Sequence, residues 1–154
     1  MKKLYFLIIA LLAIYSAMAQ GCLPEGITFT TQEQIDNFQT DYPGCMEIEG
    51  DVIIEESYSG AILNLSGLNV ITSIGGNLVI ENNNGLSHLA GLENLISIGK
   101  NLDISINNSL TSIAGLGNLT SVGGDDIFIY GNNSLLSISA LSGLTIINGN
   151  LLIS

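Results

Sequence analysis

The chain has 154 residues, 47% of them hydrophobic, with three Lys+Arg against 14 Asp+Glu and a formal net charge of −11. Two of the three cations, Lys2 and Lys3, fall in an N-terminal leader, so the remainder keeps Lys100 and no arginine. That leaves too little positive charge to neutralise phosphates, which excludes nucleic-acid binding and attachment to an anionic membrane surface.

The leader combines Lys2-Lys3, an apolar run from Leu4 to Ile14 and a small-x-small site at Ala17-Met18-Ala19. This pattern predicts a signal peptide over residues 1–19, export, and a secreted or cell-surface location. The apolar run is short for a membrane anchor, so no stable span is expected after cleavage. Lipid attachment at Cys22 is disfavoured, because Ala19-Gln20-Gly21 makes a poor acylation signal. The remaining length suits one domain.

Residues 20–47 read as a cap. Cys22 and Cys45 form an even pair in an exported chain, which predicts a disulfide. Metal ligation or a catalytic thiol would need partners, and the one histidine, His88, lies far along the sequence. Closing a loop of about 24 residues contributes roughly 3 kcal/mol. Between the cysteines, Ile27 and Phe29 suggest a short strand. Thr30-Thr31-Gln32-Glu33 has the Thr-x-x-Glu spacing of a capping box, with Ile35 and Phe38 on one face of the helix that follows. Asp41-Tyr42-Pro43-Gly44 ends it.

Residues 48–154 repeat one apolar template. Leu65, Leu89, Ile113 and Ile138 are separated by 24, 24 and 25 residues, and Ile62/Leu86/Leu110/Leu135 keep the same steps. So do Leu68/Leu92/Leu116/Leu141, Ile71/Leu95/Leu119/Leu144 and Ile74/Ile98/Val122/Ile147. A fixed period of this length predicts a solenoid of stacked coils, each burying its apolar edge against its neighbours. Such a stack needs a terminal cap, the role assigned to the disulfide-linked helix. Within each coil, Leu78/Ile80, Leu102/Ile104, Ile127/Ile129 and Leu151/Ile153 describe a short core-facing strand. The first coil is two residues longer, between Glu55 and Gly60, and another residue is inserted at Asp125-Asp126. Gly and Asn interrupt every run, which argues against helix here. The repeat stops partway through a coil at Ser154, so the solenoid is expected to be C-terminally incomplete, with further domains beyond it.

Each main strand is followed by an asparagine pair: Asn83-Asn84, Asn107-Asn108, Asn132-Asn133. Stacked amides both donate and accept, so Asn83, Asn107 and Asn132 are expected to form a structural ladder. Asn107-Asn108-Ser109 and Asn132-Asn133-Ser134 are also glycosylation sequons, and Asn64 and Asn118 head two more. The ladder is the preferred reading.

The Asn-Leu-x-Ile-x-x-Asn strand signature, the Leu-x-x-Leu-x-x-Leu steps and the Cys-flanked helix together resemble the receptor L-domain family. The phrases Gly26-Ile-Thr-Phe-Thr-Thr31, Tyr42-Pro-Gly-Cys45 and Ile48-Glu-Gly-Asp-Val52 are closest to its bacterial cell-surface type. The resemblance covers about Cys22 to Ser154. It implies a mainly β fold, a leucine-rich single-stranded right-handed β-helix with an N-terminal helical cap, and an extracellular setting. The cysteine-rich module, the kinase, the membrane span and the basic ligand contacts of the receptors are missing, so signalling does not carry over.

No catalytic constellation emerges. His88 occupies a position where other coils carry Ser112 and Ser137, an outward coil residue. A carboxylate-pair glycosidase needs a second acid near Asp103, where the neighbouring coils offer Val79 and Phe128. The column Asp51, Asn77, Asn101, Asp125-Asp126 and Asn150 offers oxygen donors for calcium, but a solvated turn column explains it better. No cofactor or metal is predicted. The outward strand residues Ile53, Val79, Asp103, Phe128 and Leu152, with Glu55, Glu81, Ser105, Tyr130 and Ser154 two positions on, make a face more apolar than solvent contact requires. The sequence therefore predicts a non-enzymatic recognition or adhesion module that binds an extracellular protein or glycan through Phe128, Tyr130, Val79 and Asp103. A structural spacer in a larger surface protein is the alternative, and a β-helix carbohydrate-active enzyme is third.

Overall fold

The protein is described by a computed structural model, covering residues 21–57, 61–124 and 126–154. The leader read as a signal peptide lies outside these residues, as do positions 58–60 of the longer first repeat and position 125 of the insertion.

The fold is mainly β: the described residues hold one α-helix and two wholly parallel sheets. β1 (Ile27–Phe29), β3 (Val52–Glu55), β5 (Leu78–Glu81), β7 (Leu102–Ser105), β9 (Asp126–Tyr130) and β11 (Asn150–Ile153) form the six-stranded sheet, in that spatial order. The second sheet stacks five two-residue strands: β2 (Glu47–Ile48), β4 (Ser73–Ile74), β6 (Ser97–Ile98), β8 (Ser121–Val122) and β10 (Ile146–Ile147). Register follows the sequence repeat: Val52 pairs with Leu78, Leu78 with Leu102, Leu102 with Ile127 and Ile127 with Leu151. Parallel strands need a long connection between them, and each repeat supplies one.

The connections are tighter than loops. Ser66–Leu68, Ala114–Leu116 and Ser139–Gly143 are short 3₁₀ turns, closed by bonds such as Leu68 N–H to Leu65 C=O at 2.9 Å. In a 3₁₀ turn residues i and i+3 eclipse, so the Leu-x-x-Leu spacing returns each leucine to the same inner face. Gly115 matters in this packing, because a Cβ there would collide with the Leu89 carbonyl of the preceding repeat.

The helix α1 (Gln32–Asp41) closes one end. Its N-cap is Thr31, whose side chain accepts from Gln34 N–H while the Gln34 side chain reaches back. The capping box is thus Thr31/Gln34, one residue later than Thr30/Glu33, because β1 extends to Phe29 and leaves Thr30 as connector. Ile35 and Phe38 are completely buried, and Phe38 meets Phe29 edge to face at 5.8 Å. Gln32 and Gln39 bond the first repeat through Leu63 N–H (2.8 Å) and Gly67 C=O (3.2 Å). The Cys22–Cys45 disulfide joins the flanks of the cap, with Cα atoms 5.7 Å apart.

One apolar core runs from the cap through all the repeats. Its burial falls away at the far end. Leu151 and Ile153 occupy the inward columns, yet they are 48% and 45% exposed because β11 pairs only with β9.

Candidate functional site

The outer face of the six-stranded sheet carries the residues singled out for binding. Alternation along each strand turns Leu78, Ile80, Leu102, Ile104, Ile127 and Ile129 inward, all buried, and the intervening residues outward. One outward row runs Ile53, Val79, Asp103, Phe128 and Leu152, each the register partner of the next. The row beside it runs Glu55, Glu81, Ser105 and Tyr130. Adjacent strands lie about 4.8 Å apart, so Val79, Asp103, Phe128 and Tyr130 share one patch. They are half-buried rather than open to solvent, because long side chains at this spacing shade each other.

Ser105 departs from the solvent-contact expectation. Its hydroxyl lies on the outward side, yet the residue is fully buried and its Oγ has no hydrogen-bond partner. A short side chain between Glu81 and Tyr130 is overshadowed by both. Asp103 Oδ1 is likewise buried and unpartnered. The Glu81 carboxyl is pushed above its ordinary range by burial, then by the charges of Glu55 and Asp103. This patch therefore combines aromatic surface, clustered negative charge and unmet acceptors.

The asparagines behind the strands bond amide to amide as expected, Asn83 Nδ2 to Asn107 Oδ1 at 3.1 Å and Asn107 Nδ2 to Asn132 Oδ1 at 3.2 Å, and add backbone partners to that stack. Asn83, Asn107 and Asn132 are buried. Each Nδ2 donates to a carbonyl of the preceding strand, as Asn107 does to Ile80 O at 2.9 Å, and to the carbonyl two residues back, Ser105 O at 3.0 Å. The Oδ1 atoms of Asn107 and Asn132 accept from the rung before: Asn83 N–H to Asn107 Oδ1 at 3.0 Å, and Asn107 N–H to Asn132 Oδ1 at 3.0 Å. The run ends at Asn83 Oδ1, which has no partner. Asn84, Asn108 and Asn133 form a parallel exposed chain.

The oxygen column weighed for calcium is a second ladder. Asn77 N–H bonds Asp51 Oδ1 at 2.8 Å, Asn101 N–H bonds Asn77 Oδ1, Asp126 N–H bonds Asn101 Oδ1, and Asn150 Nδ2 bonds Asp126 Oδ1. Asp126 takes the column position in its repeat. Sequence reasoning missed this ladder, although an Asx residue before every main strand signalled it. The Asn77 backbone N–H, against an opposing desolvation and with help from its side chain and Lys100, holds the Asp51 carboxyl below its ordinary range. Lys100 lies 3.9 Å from Asp51 in an exposed pair, which contributes little.

His88 is exposed and bridges to Ser112. An open depression nearby, lined by Thr111, Ser112, Ala114, Leu136 and Ser137 among others, carries hydroxyls but no titratable side chain. Among the described residues no three His, Cys, Asp or Glu are placed to hold a metal ion, and no helix is long and apolar enough to cross a membrane. Compared with family models, curated proteins and solved structures, the chain matches none.

Proposed function

We propose that this is an exported, non-enzymatic recognition or adhesion module built as a right-handed β-helical, leucine-rich solenoid of the receptor L-domain type. Its ligand is an extracellular protein or glycan, taken on the outer face of the six-stranded sheet. The observation that carries this reading is the in-register patch of Val79, Asp103, Phe128 and Tyr130, which mixes aromatic, apolar and acidic groups where packing demands none of them. A nearly flat strand face suits a macromolecular partner, whereas small molecules prefer concave pockets. The parallel pairing at the repeat period, the helix over one end and the disulfide all support the architecture.

The test is a binding screen of the oxidised domain against arrays of extracellular proteins and glycans, repeated with Phe128→Ser/Tyr130→Ser. Loss of a hot-spot aromatic typically costs about 2 kcal/mol or more, so a true partner should bind roughly 30-fold more weakly to the double variant. A partner held equally well by both would move the site elsewhere. The spacer reading draws on the exposed Leu151, Ile153 and Ile147 at the edge of the two sheets, which suit end-on packing against a neighbouring domain. No partner in any array would favour it.

A further inference from the structure

The acidic part of the outer face has more acceptors than donors. Glu55 and Glu81 are register partners, and Asp103 stands one strand further on beside Glu81. Between Glu81 and Tyr130 lies Ser105, wholly buried with its Oγ unpartnered, and Asp103 Oδ1 is buried without a partner as well. Unsatisfied buried acceptors are costly and are retained where something else completes them. Among the described residues the one Lys or Arg is Lys100, and it lies beside Asp51.

A metal ion fits poorly, since these carboxylates spread along neighbouring strands and do not converge as a three-ligand group. An organic cation fits better. A planar guanidinium presents five donors in a rigid fork that spans carboxylates on adjacent strands, and its face stacks on aromatic rings. Phe128 and Tyr130 stand next to Asp103 and Ser105 in register.

Resting on the recognition reading above, we propose that the patch of Glu81, Asp103, Ser105, Phe128 and Tyr130 receives an arginine side chain presented by a protein partner. The carboxylates of Glu81 and Asp103 accept from the guanidinium, Ser105 Oγ accepts as well once the Glu81 and Tyr130 side chains that cover it turn aside, and the two rings flank it. The raised Glu81 carboxyl supports this, because an arriving cation relieves the repulsion from Glu55 and Asp103.

The experiment is an amide-resonance titration of the oxidised full chain with acetyl-Gly-Arg-Gly-amide and with its lysine and citrulline counterparts. Perturbations should gather on β5, β7 and β9. Binding should weaken at least tenfold with citrulline and with Glu81→Gln/Asp103→Asn. It should change less than twofold with Glu25→Gln/Glu33→Gln, which removes equal charge from exposed positions on the cap side of the chain. The lysine peptide should bind more weakly than the arginine one, and parity would remove the case for a guanidinium. Equal loss in both double variants would reduce the effect to diffuse electrostatics and overturn the proposal, as would perturbations elsewhere. Calcium chloride producing the same perturbations and displacing the peptide would replace it with a metal site. A partner lost by Phe128→Ser/Tyr130→Ser but kept by Glu81→Gln/Asp103→Asn would end this inference and leave the recognition reading standing. A partner kept by both double variants would end that reading too.

Discussion

Replacing Asn107 with leucine tests whether the buried amides hold the repeats together. The two side chains are similar in size, so the change is mainly one of hydrogen bonding. Lost are the bonds from Nδ2 to Ile80 O, Ser105 O and Asn132 Oδ1, at 2.9, 3.0 and 3.2 Å. Lost too are those that Oδ1 accepts from Asn83 N–H and Nδ2, at 3.0 and 3.1 Å. The bond from Asn107 N–H to Asn132 Oδ1 uses backbone and survives. The Asn83 N–H is left buried with no acceptor, at about 1–3 kcal/mol, and the two carbonyl bonds contribute about 1 kcal/mol each. Together they predict a loss of about 3–5 kcal/mol, or a melting temperature lower by about 10–20 °C for a domain of this size. Asn108→Ala, one residue on in the exposed chain, should cost under about 0.5 kcal/mol. Urea unfolding of the oxidised proteins measures both. Equal destabilisation would mean that the amides are interchangeable with solvent-facing ones, and the argument from burial would fail.

Reducing Cys22–Cys45 should lower stability by about 3 kcal/mol, and a melt with reductant that moves by less than about 1 kcal/mol would remove the disulfide from the account of the cap. Gly115→Ala should cost about 1–3 kcal/mol, read by urea unfolding, because its Cβ meets the rigid Leu89 carbonyl. The Asp51 carboxyl is depressed in the folded state, so its contribution is present above the ordinary value of 3.8 and disappears as pH falls through the folded value; Asp51→Asn should flatten that part of a pH–stability curve. Glu81 has the opposite sign: its pKa is raised, so the protonated form is preferred, and stability is lost as pH rises from the ordinary value of 4.5 through the folded one. Glu81→Gln should therefore melt higher than the parent at pH 7 and level with it near pH 3.

The periodic part of the fold was legible because its cause is periodic. Columns of Leu, Ile and Val at fixed steps announce inward positions, and the structure buries Leu65, Leu89 and Ile113 almost completely. The disulfide and the helix were also readable, the first from an even pair of cysteines and the second from its capping residues and apolar face. The cap position slipped by one residue, since Thr30 and Thr31 offer the same chemistry and only the end of β1 decides between them. Ser105 was misjudged for a different reason. Alternation gave its side of the strand correctly, but exposure depends on the size of Glu81 and Tyr130 alongside, which a single strand does not reveal. The second Asx ladder was visible as a column but was read as solvated, because nothing in sequence distinguishes an oxygen facing water from one facing the next N–H.

These differences separate what the repeats share from what they do not. Inward positions hold Val, Leu or Ile in every repeat because each must fill the same space against the rungs on either side. The outward row is under no such constraint, and it runs Ile53, Val79, Asp103, Phe128 and Leu152, with no common chemistry. A strand face that only had to meet water would gain nothing from a phenylalanine beside an unpartnered carboxylate oxygen, since the first wastes apolar burial and the second is costly where water is excluded. Both groups sit on rigid, paired strands, so a ligand meeting them encounters fixed positions and orders little of the protein on binding. The mixture of Asp103, Ser105, Phe128 and Tyr130 is therefore best explained by a contact outside the chain. The repeat supplies the scaffold, and this outward row, where its copies disagree, is where the proposed recognition would fall.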